Sequence, residues 1–264
     1  MVQPPQAERL LLAGPAGPLE ALIETPPGES AAAPAAFGVI CHPHPLYGGA
    51  LDNKVVWALA RAFQQLGAPT IRFNFRGVGA SAGAHDNGRG EVGDAAAAIA
   101  AGAERWPHAA LWLAGFSFGG VVALRAAAVA QPARLVTVAP GITKSDVSDV
   151  PRPECPWLIV QGDADDVVPE QAVSAWALTL APPPELRVLP GAGHYFHGRI
   201  NELRDTVLEF MRRAAQSRRR RKTPRATAPP AASARAHGRR APTRRRPRRG
   251  RHRDCRRWRR HRES

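Results

Sequence analysis

Short apolar runs alternate along this chain with longer stretches whose apolar residues recur at helical spacing, and the two patterns interleave from about residue 37 to residue 215. Such interleaving predicts an α/β fold, a mostly parallel sheet with crossover helices packed on it. Ahead of it, Arg9–Ala13 and Pro18–Glu24 flank Gly14-Pro15-Ala16-Gly17 and read as a hairpin, followed by a Pro/Ala/Gly-rich connection over 26–36. Phe37–Cys41 then reads as a buried strand and Lys54–Leu66 as a helix stopped by Gly67. Pro69–Phe75 is the next strand, with a Gly-rich loop leading to a helix near Glu91–Arg105. Leu111–Gly115 is a strand followed at once by a helix from Phe118 to about Ala130. Leu135–Ala139, Trp157–Gln161 and Leu186–Leu189 complete the strands, with helices at about Pro169–Leu180 and Phe196–Ala215. No internal repeat is present.

The formal charge of +15 at first suggests a nucleic-acid binder. Its distribution changes that picture. From Arg218 to Ser264 there are 21 of the 37 Lys and Arg against two of the 22 acids, leaving residues 1–217 with a net charge of −4. The chain therefore divides into a mildly acidic body, 1–216, and an Arg/Pro/Ala-rich segment, 217–264, too charged and too poor in aliphatic residues to build a core and expected to be disordered. The body is long enough to bury about 70% of its unfolded surface and needs no disulfide or metal to fold. Three cysteines without CxxC or regular spacing agree with that. Arg9-Leu10-Leu11-Leu12-Ala13 is too short for a signal peptide, and no apolar run approaches the ~18–20 residues of a membrane span, so the expectation is a cytoplasmic protein.

Candidate chemistry lies in Gly115-Phe116-Ser117-Phe118-Gly119, a G-x-S-x-G pentapeptide between an expected strand and an expected helix. A serine on so sharp a turn takes a strained backbone, so its neighbours at ±2 must be small. The turn lifts Oγ clear of the sheet and sets the Phe118 N–H at a helix N-terminus, where it can stabilise an oxyanion. A hydroxyl nucleophile needs a base, and the base an orienting acid. On such a scaffold they follow in the order Ser, Asp/Glu, His. Asp163-Ala164-Asp165-Asp166 follows one strand and Gly193-His194 the next, both at carboxyl ends, where open α/β sheets build their sites. Asp165 is favoured as the acid over Asp163 and Asp166, and His194 is the base; His197 reads as a cap or rim residue.

Cys41-His42-Pro43-His44-Pro45-Leu46-Tyr47-Gly48-Gly49, with Asp52-Asn53-Lys54 after it, joins Phe73–Ser81, Gly115–Gly120, Gln161–Pro169 and Gly191–Gly198 in one order. In these motifs residues 8–214 resemble a bacterial group of small α/β-hydrolases similar to dienelactone-hydrolase-like and esterase families. The resemblance implies an α/β-hydrolase fold, helices on both sheet faces and a Ser-Asp-His triad, without specifying a substrate. Lid domains in such folds are usually inserted where Pro140–Pro156 lies here, and 17 residues imply minimal or no lid. The His-Pro-His-Pro segment follows the strand that usually delivers the second oxyanion donor. Pro43 and Pro45 lack an N–H, leaving His44, Leu46 and Tyr47, of which Leu46 is favoured by analogy with His-Gly-x patterns.

Together these readings predict a serine hydrolase of a small ester-type substrate. Ser117, Asp165 and His194 carry the chemistry, Phe118 and Leu46 supply oxyanion N–H groups, and Tyr47, Phe116 and Tyr195, with Phe118, supply an apolar wall. No cofactor and no metal are expected: His42 and His44 read as loop anchors or pocket lining, Asn53 as a helix cap, and Arg76 as a residue shaping the loop below the site. One alternative is a non-catalytic binding protein of the same fold. Another is a hydrolase whose basic tail binds nucleic acid or anionic lipid. The tail's Arg, Pro, Ala and Gly are also what an extended or shifted frame in GC-rich DNA encodes. Oligomeric state is left open.

Overall fold

A computed structural model of the protein describes residues 5–28 and 33–222. Eight strands form one sheet in the order β1-β2-β4-β3-β5-β6-β7-β8. They are β1 Gln6–Gly14, β2 Gly17–Thr25, β3 Ala36–Cys41, β4 Thr70–Phe73, β5 Ala110–Phe116, β6 Arg134–Val138, β7 Trp157–Gly162 and β8 Glu185–Leu189. β1 and β2 pair antiparallel as the expected hairpin, β2 runs antiparallel to β4, and every pairing from β4 to β8 is parallel. The central strands β3, β4, β6 and β7 are buried along their whole length; β3 and β7 accordingly read as nearly unbroken apolar runs, while β4 buries Thr70 and Arg72.

Successive side chains of a strand face opposite ways, and the core divides accordingly. Phe37, Val39 and Cys41 of β3 and Leu113 of β5 pack under α2 (Arg89–Arg105), α3 (Phe118–Ala130) and α4 (Glu170–Thr179). Ile40 of β3 and Trp112, Ala114 and Phe116 of β5 pack instead under α1 (Lys54–Gln64) and α5 (Ile200–Lys222). Each large side chain sealed there, such as Phe63 of α1 or Met211 of α5, contributes roughly 1.5–3 kcal/mol of burial.

α5 runs on to Lys222 instead of stopping near Ala215. Arg and Lys are good helix formers, so the basic run is compatible with the helix continuing beyond Ala215. The rest of the Arg-rich segment, 223–264, lies outside the described residues. The connection Pro140–Pro156 carries no helix or strand, so it contributes no lid domain at this end of the sheet.

Candidate active site

Strand register assembles the site. Cys41 at the end of β3 pairs with Gly115 of β5, so the His-Pro-His-Pro loop leaves the sheet beside the turn that carries Ser117. Gly162 pairs with Leu189, so the loop after β7 leaves beside the loop after β8. All four loops emerge from carboxyl ends of parallel strands.

Ser117 has φ 55° and ψ −118°, a left-handed conformation that L residues avoid. Its backbone is held on several sides: Ser117 N–H donates to Val138 O at 2.9 Å, and Ser117 O accepts from Gly120 N–H at 2.9 Å and Gly141 N–H at 3.1 Å. The glycines of the pentapeptide are sterically required. A Cβ on Gly115 would lie 2.0 Å from Gly119 O, and one on Gly119 would lie 2.3 Å from His42 O.

His194 Nδ1 lies 2.9 Å from Asp165 Oδ2, and His194 Nε2 lies 3.0 Å from Ser117 Oγ. An ionised carboxylate only accepts, so Nδ1 carries the imidazole proton and Nε2 accepts from the serine hydroxyl. Asp165 is buried, which pushes its carboxyl pKa up. Hydrogen bonds from His194 and from the Val168 and Val167 N–H groups outweigh that and hold it below the usual carboxylate range. Gln161 Nε2 adds a donor to Asp165 Oδ2 at 2.9 Å and another to Val168 O at 2.9 Å. Asp163 is turned elsewhere, accepting from Gly191 N–H at 2.6 Å and bracing the histidine loop. Asp166 is exposed beside it.

The His-Pro-His-Pro loop is fastened from below. His42 is fully buried; its Nδ1 lies 2.6 Å from Pro43 O and its Nε2 accepts from Phe75 N–H at 2.9 Å, which defines a neutral ring. Burial lowers its pKa to about 4. Further along, Leu51 N–H donates to Asn74 Oδ1 at 2.8 Å and Leu51 O accepts from Arg72 at 2.7 Å, with Arg72 in turn paired to buried Glu24 at 2.9 Å. Arg76 is paired to buried Asp94 at 2.8 Å and is not free to hold an anion. Asn53 caps α1 through Val55 N–H at 2.9 Å.

Two expected residues stand in different roles. Leu46 N–H donates to His44 Nδ1 at 3.2 Å, because His44 caps the single 3-10 turn Pro45–Tyr47, and the leucine side chain is exposed. Tyr47 N–H is engaged as well, by His44 O at 3.1 Å. Among the described residues His44 N–H and Phe118 N–H have no protein acceptor, whereas the Leu46 N–H expected as loop donor is taken up by His44 Nδ1. Phe116 is fully buried under α1 and α5, with its ring 5.1 Å from that of His194, so it packs against that imidazole and does not line the cavity. Tyr47 and Tyr195 do line the cavity, and the Tyr195 ring meets His194 edge-on at 5.1 Å.

The cavity over Ser117 has a volume of about 670 Å³. Its walls include His44, Asn53, His85, Asn87, Phe118, Lys144, Val167 and His194. His85 escaped the sequence reading: it packs at 4.7 Å from His44, and its Nδ1 lies 2.8 Å from the buried carboxylate of Glu91. Burial is the main influence lowering the pKa of His44, with His85 adding to it. Cys41 is fully buried and its thiol pKa is pushed up, so it is no rival nucleophile. A second cleft, of about 650 Å³, lies at the opposite ends of β5, β6 and β7 and holds no histidine. Among the described residues no cluster of His, Cys, Asp and Glu is placed to hold a metal, and no helix is long and apolar enough to cross a membrane.

This sheet order, with a serine elbow after β5, defines an α/β hydrolase, and the profile of the alpha/beta hydrolase fold family matches residues 40–155. The chain belongs to that family. It is similar to an α/β serine hydrolase without a lid from Xanthomonas campestris, with 42% identity over 81% of this chain and 97% of that one and a TM-score of 0.75. An α/β serine hydrolase homologue from Coxiella burnetii is 44% identical over 76% and 96% of the two chains, with a TM-score of 0.73. An uncharacterised protein of Rickettsia prowazekii is 31% identical over 188 residues, 67% of this chain and 79% of its own.

Proposed function

We propose that this α/β hydrolase cleaves an ester-type bond of a small molecule through a covalent acyl-enzyme on Ser117. The observation that carries the reading is the unbroken chain Ser117 Oγ, His194 Nε2, His194 Nδ1, Asp165 Oδ2, with both links at hydrogen-bond length. His194 removes the hydroxyl proton as Ser117 attacks the carbonyl carbon. Asp165 holds the tautomer and stabilises the imidazolium that forms. The Phe118 and His44 N–H groups, without protein acceptors among the described residues, receive the tetrahedral oxyanion; each such donor is worth about 3 kcal/mol in the transition state. His194 then protonates the departing alcohol and activates the water that releases the acid. The cavity size suits a small acyl or ester substrate.

The test is fluorophosphonate labelling with turnover of p-nitrophenyl esters of increasing chain length, run on the protein and on Ser117→Ala, His194→Ala and Asp165→Asn. Labelling at Ser117, with turnover lost on the order of 10⁴-fold in the variants, is expected. Full turnover by Ser117→Ala would overturn the reading. Failure of the folded protein to label would favour a non-catalytic binding protein.

A further inference from the structure

The wall of the Ser117 cavity is unevenly charged. Lys144 lines it, and no aspartate or glutamate does. The carboxylates behind the wall are already engaged: Asp165 by His194, Gln161 and two backbone N–H groups, and Glu91 by the N–H groups of Asp86 and Gly88. The acids nearest Lys144 along the chain are occupied too. Asp146 accepts from Ser148 N–H at 2.9 Å, and Asp149 pairs with Arg125 at 3.3 Å. Among the described residues the Lys144 ammonium has no carboxylate in ion-pair range.

Its backbone is tied to the nucleophile. Lys144 N–H donates to Gly141 O at 3.0 Å, and Gly141 N–H donates to Ser117 O at 3.1 Å. A Cβ added to Gly141 would lie 3.5 Å from Phe118 N, so the turn bearing Lys144 begins against the N–H assigned to the oxyanion. Besides the histidines, tyrosines and Ser117, the other polar wall groups are Asn53, Asn87 and Ser145, which carry no charge. Lys144 is exposed at this wall, and a cation lining the cavity that holds Ser117, with no counter-ion of its own, favours an anion in the ligand.

We propose that Lys144 is a specificity residue that receives a carboxylate carried on the acyl or the alcohol part of the ester. The proposal rests on the serine-hydrolase reading above. A carboxylate seated on Lys144 adds a charge-assisted contact that a neutral ester of the same length lacks, and it draws charged substrate toward the cavity mouth.

The experiment uses the full chain and two matched pairs. Mono-p-nitrophenyl adipate against p-nitrophenyl hexanoate places the charge on the acyl side; 4-acetoxybenzoate against phenyl acetate places it on the alcohol side. Uncatalysed hydrolysis is subtracted. The protein should prefer the charged member of at least one pair. Lys144→Gln should lose that preference by roughly tenfold in kcat/KM, mostly through KM, with a clearly smaller change for the neutral ester. Lys144→Glu should reverse it, and raising salt from about 50 mM to about 500 mM should shrink it. Equal effects of Lys144→Gln on charged and neutral esters, or no charged preference in either pair, would overturn the proposal. Fluorophosphonate labelling separates the two levels. A protein that labels but does not discriminate defeats the role of Lys144 alone; one that does not label defeats the serine-hydrolase reading beneath it.

Discussion

Gln161 and Asp165, four residues apart on either side of a strand end, are joined by a hydrogen bond of 2.9 Å from Gln161 Nε2 to the same carboxylate oxygen that meets His194. Gln161 is fully buried and also holds Val168 O, so one amide fixes both the acid and the turn whose N–H groups bind it. Gln161→Leu should lower kcat by about tenfold to a hundredfold with little change in KM, because the imidazole loses its aim while the cavity keeps its wall. Steady-state kinetics separates the two constants, and a change confined to KM would refute the positioning role.

The loop donor has an unusually clean test. His44 has φ −55° and ψ 123°, values that proline adopts unstrained and that suit a residue before Pro45. His44→Pro removes the N–H and the side chain; His44→Ala removes only the side chain. His44→Pro should have a kcat roughly 10² to 10³ lower than His44→Ala. Equal rates would exclude this N–H from the oxyanion site.

Gly119→Ala should destabilise the protein by about 3 kcal/mol or more, since its Cβ would meet backbone oxygens of His42 and Cys41 at 2.3 and 2.4 Å. Gly120→Ala, whose nearest contact is at 3.3 Å, should be much milder. Urea midpoints of the two variants make the comparison.

His42 ties stability to pH. Its pKa is about 4 in the folded protein against 6.5 for a free imidazole. Between those values the unfolded chain binds a proton that the folded one excludes, so this group makes stability fall as pH falls from 6.5 toward 4. The full effect is roughly 3 kcal/mol. Urea unfolding at pH 7.5 and 4.5 should show His42→Asn losing less stability on acidification than the parent; parallel losses would contradict the assignment.

Much of this architecture is legible in the chain because local signals agree with one another. The apolar run of β5, the pentapeptide and the start of α3 at Phe118 all define one strand-turn-helix, and two close-packed glycines leave no other geometry. Asp163, Asp165 and Asp166 differ by spacing alone, and what separates them is that Gly191 N–H captures Asp163 while His194 meets Asp165. Leu46 stands in a different role because the engagement of its N–H depends on a side-chain cap from His44, which no backbone pattern records. Phe116 was open to a better reading: Trp112, Ala114 and Phe116 alternate onto one face of β5, beneath the sheet edge and away from the cavity. Arg72 in β4 and Asn74 just after it carry a signal too, as polar residues between Ile71, Phe73 and Phe75, and both prove to hold Leu51 at the far end of the His-Pro-His-Pro loop.

The bare connection between β6 and β7 has a consequence for how the cavity exchanges its contents. This connection holds no helix or strand that would have to swing aside before a ligand enters. Whatever part it plays in binding carries no cost of moving a folded element, so for this segment apparent affinity is not reduced by an opening step. Selection at this edge of the cavity then falls to the groups that touch the ligand.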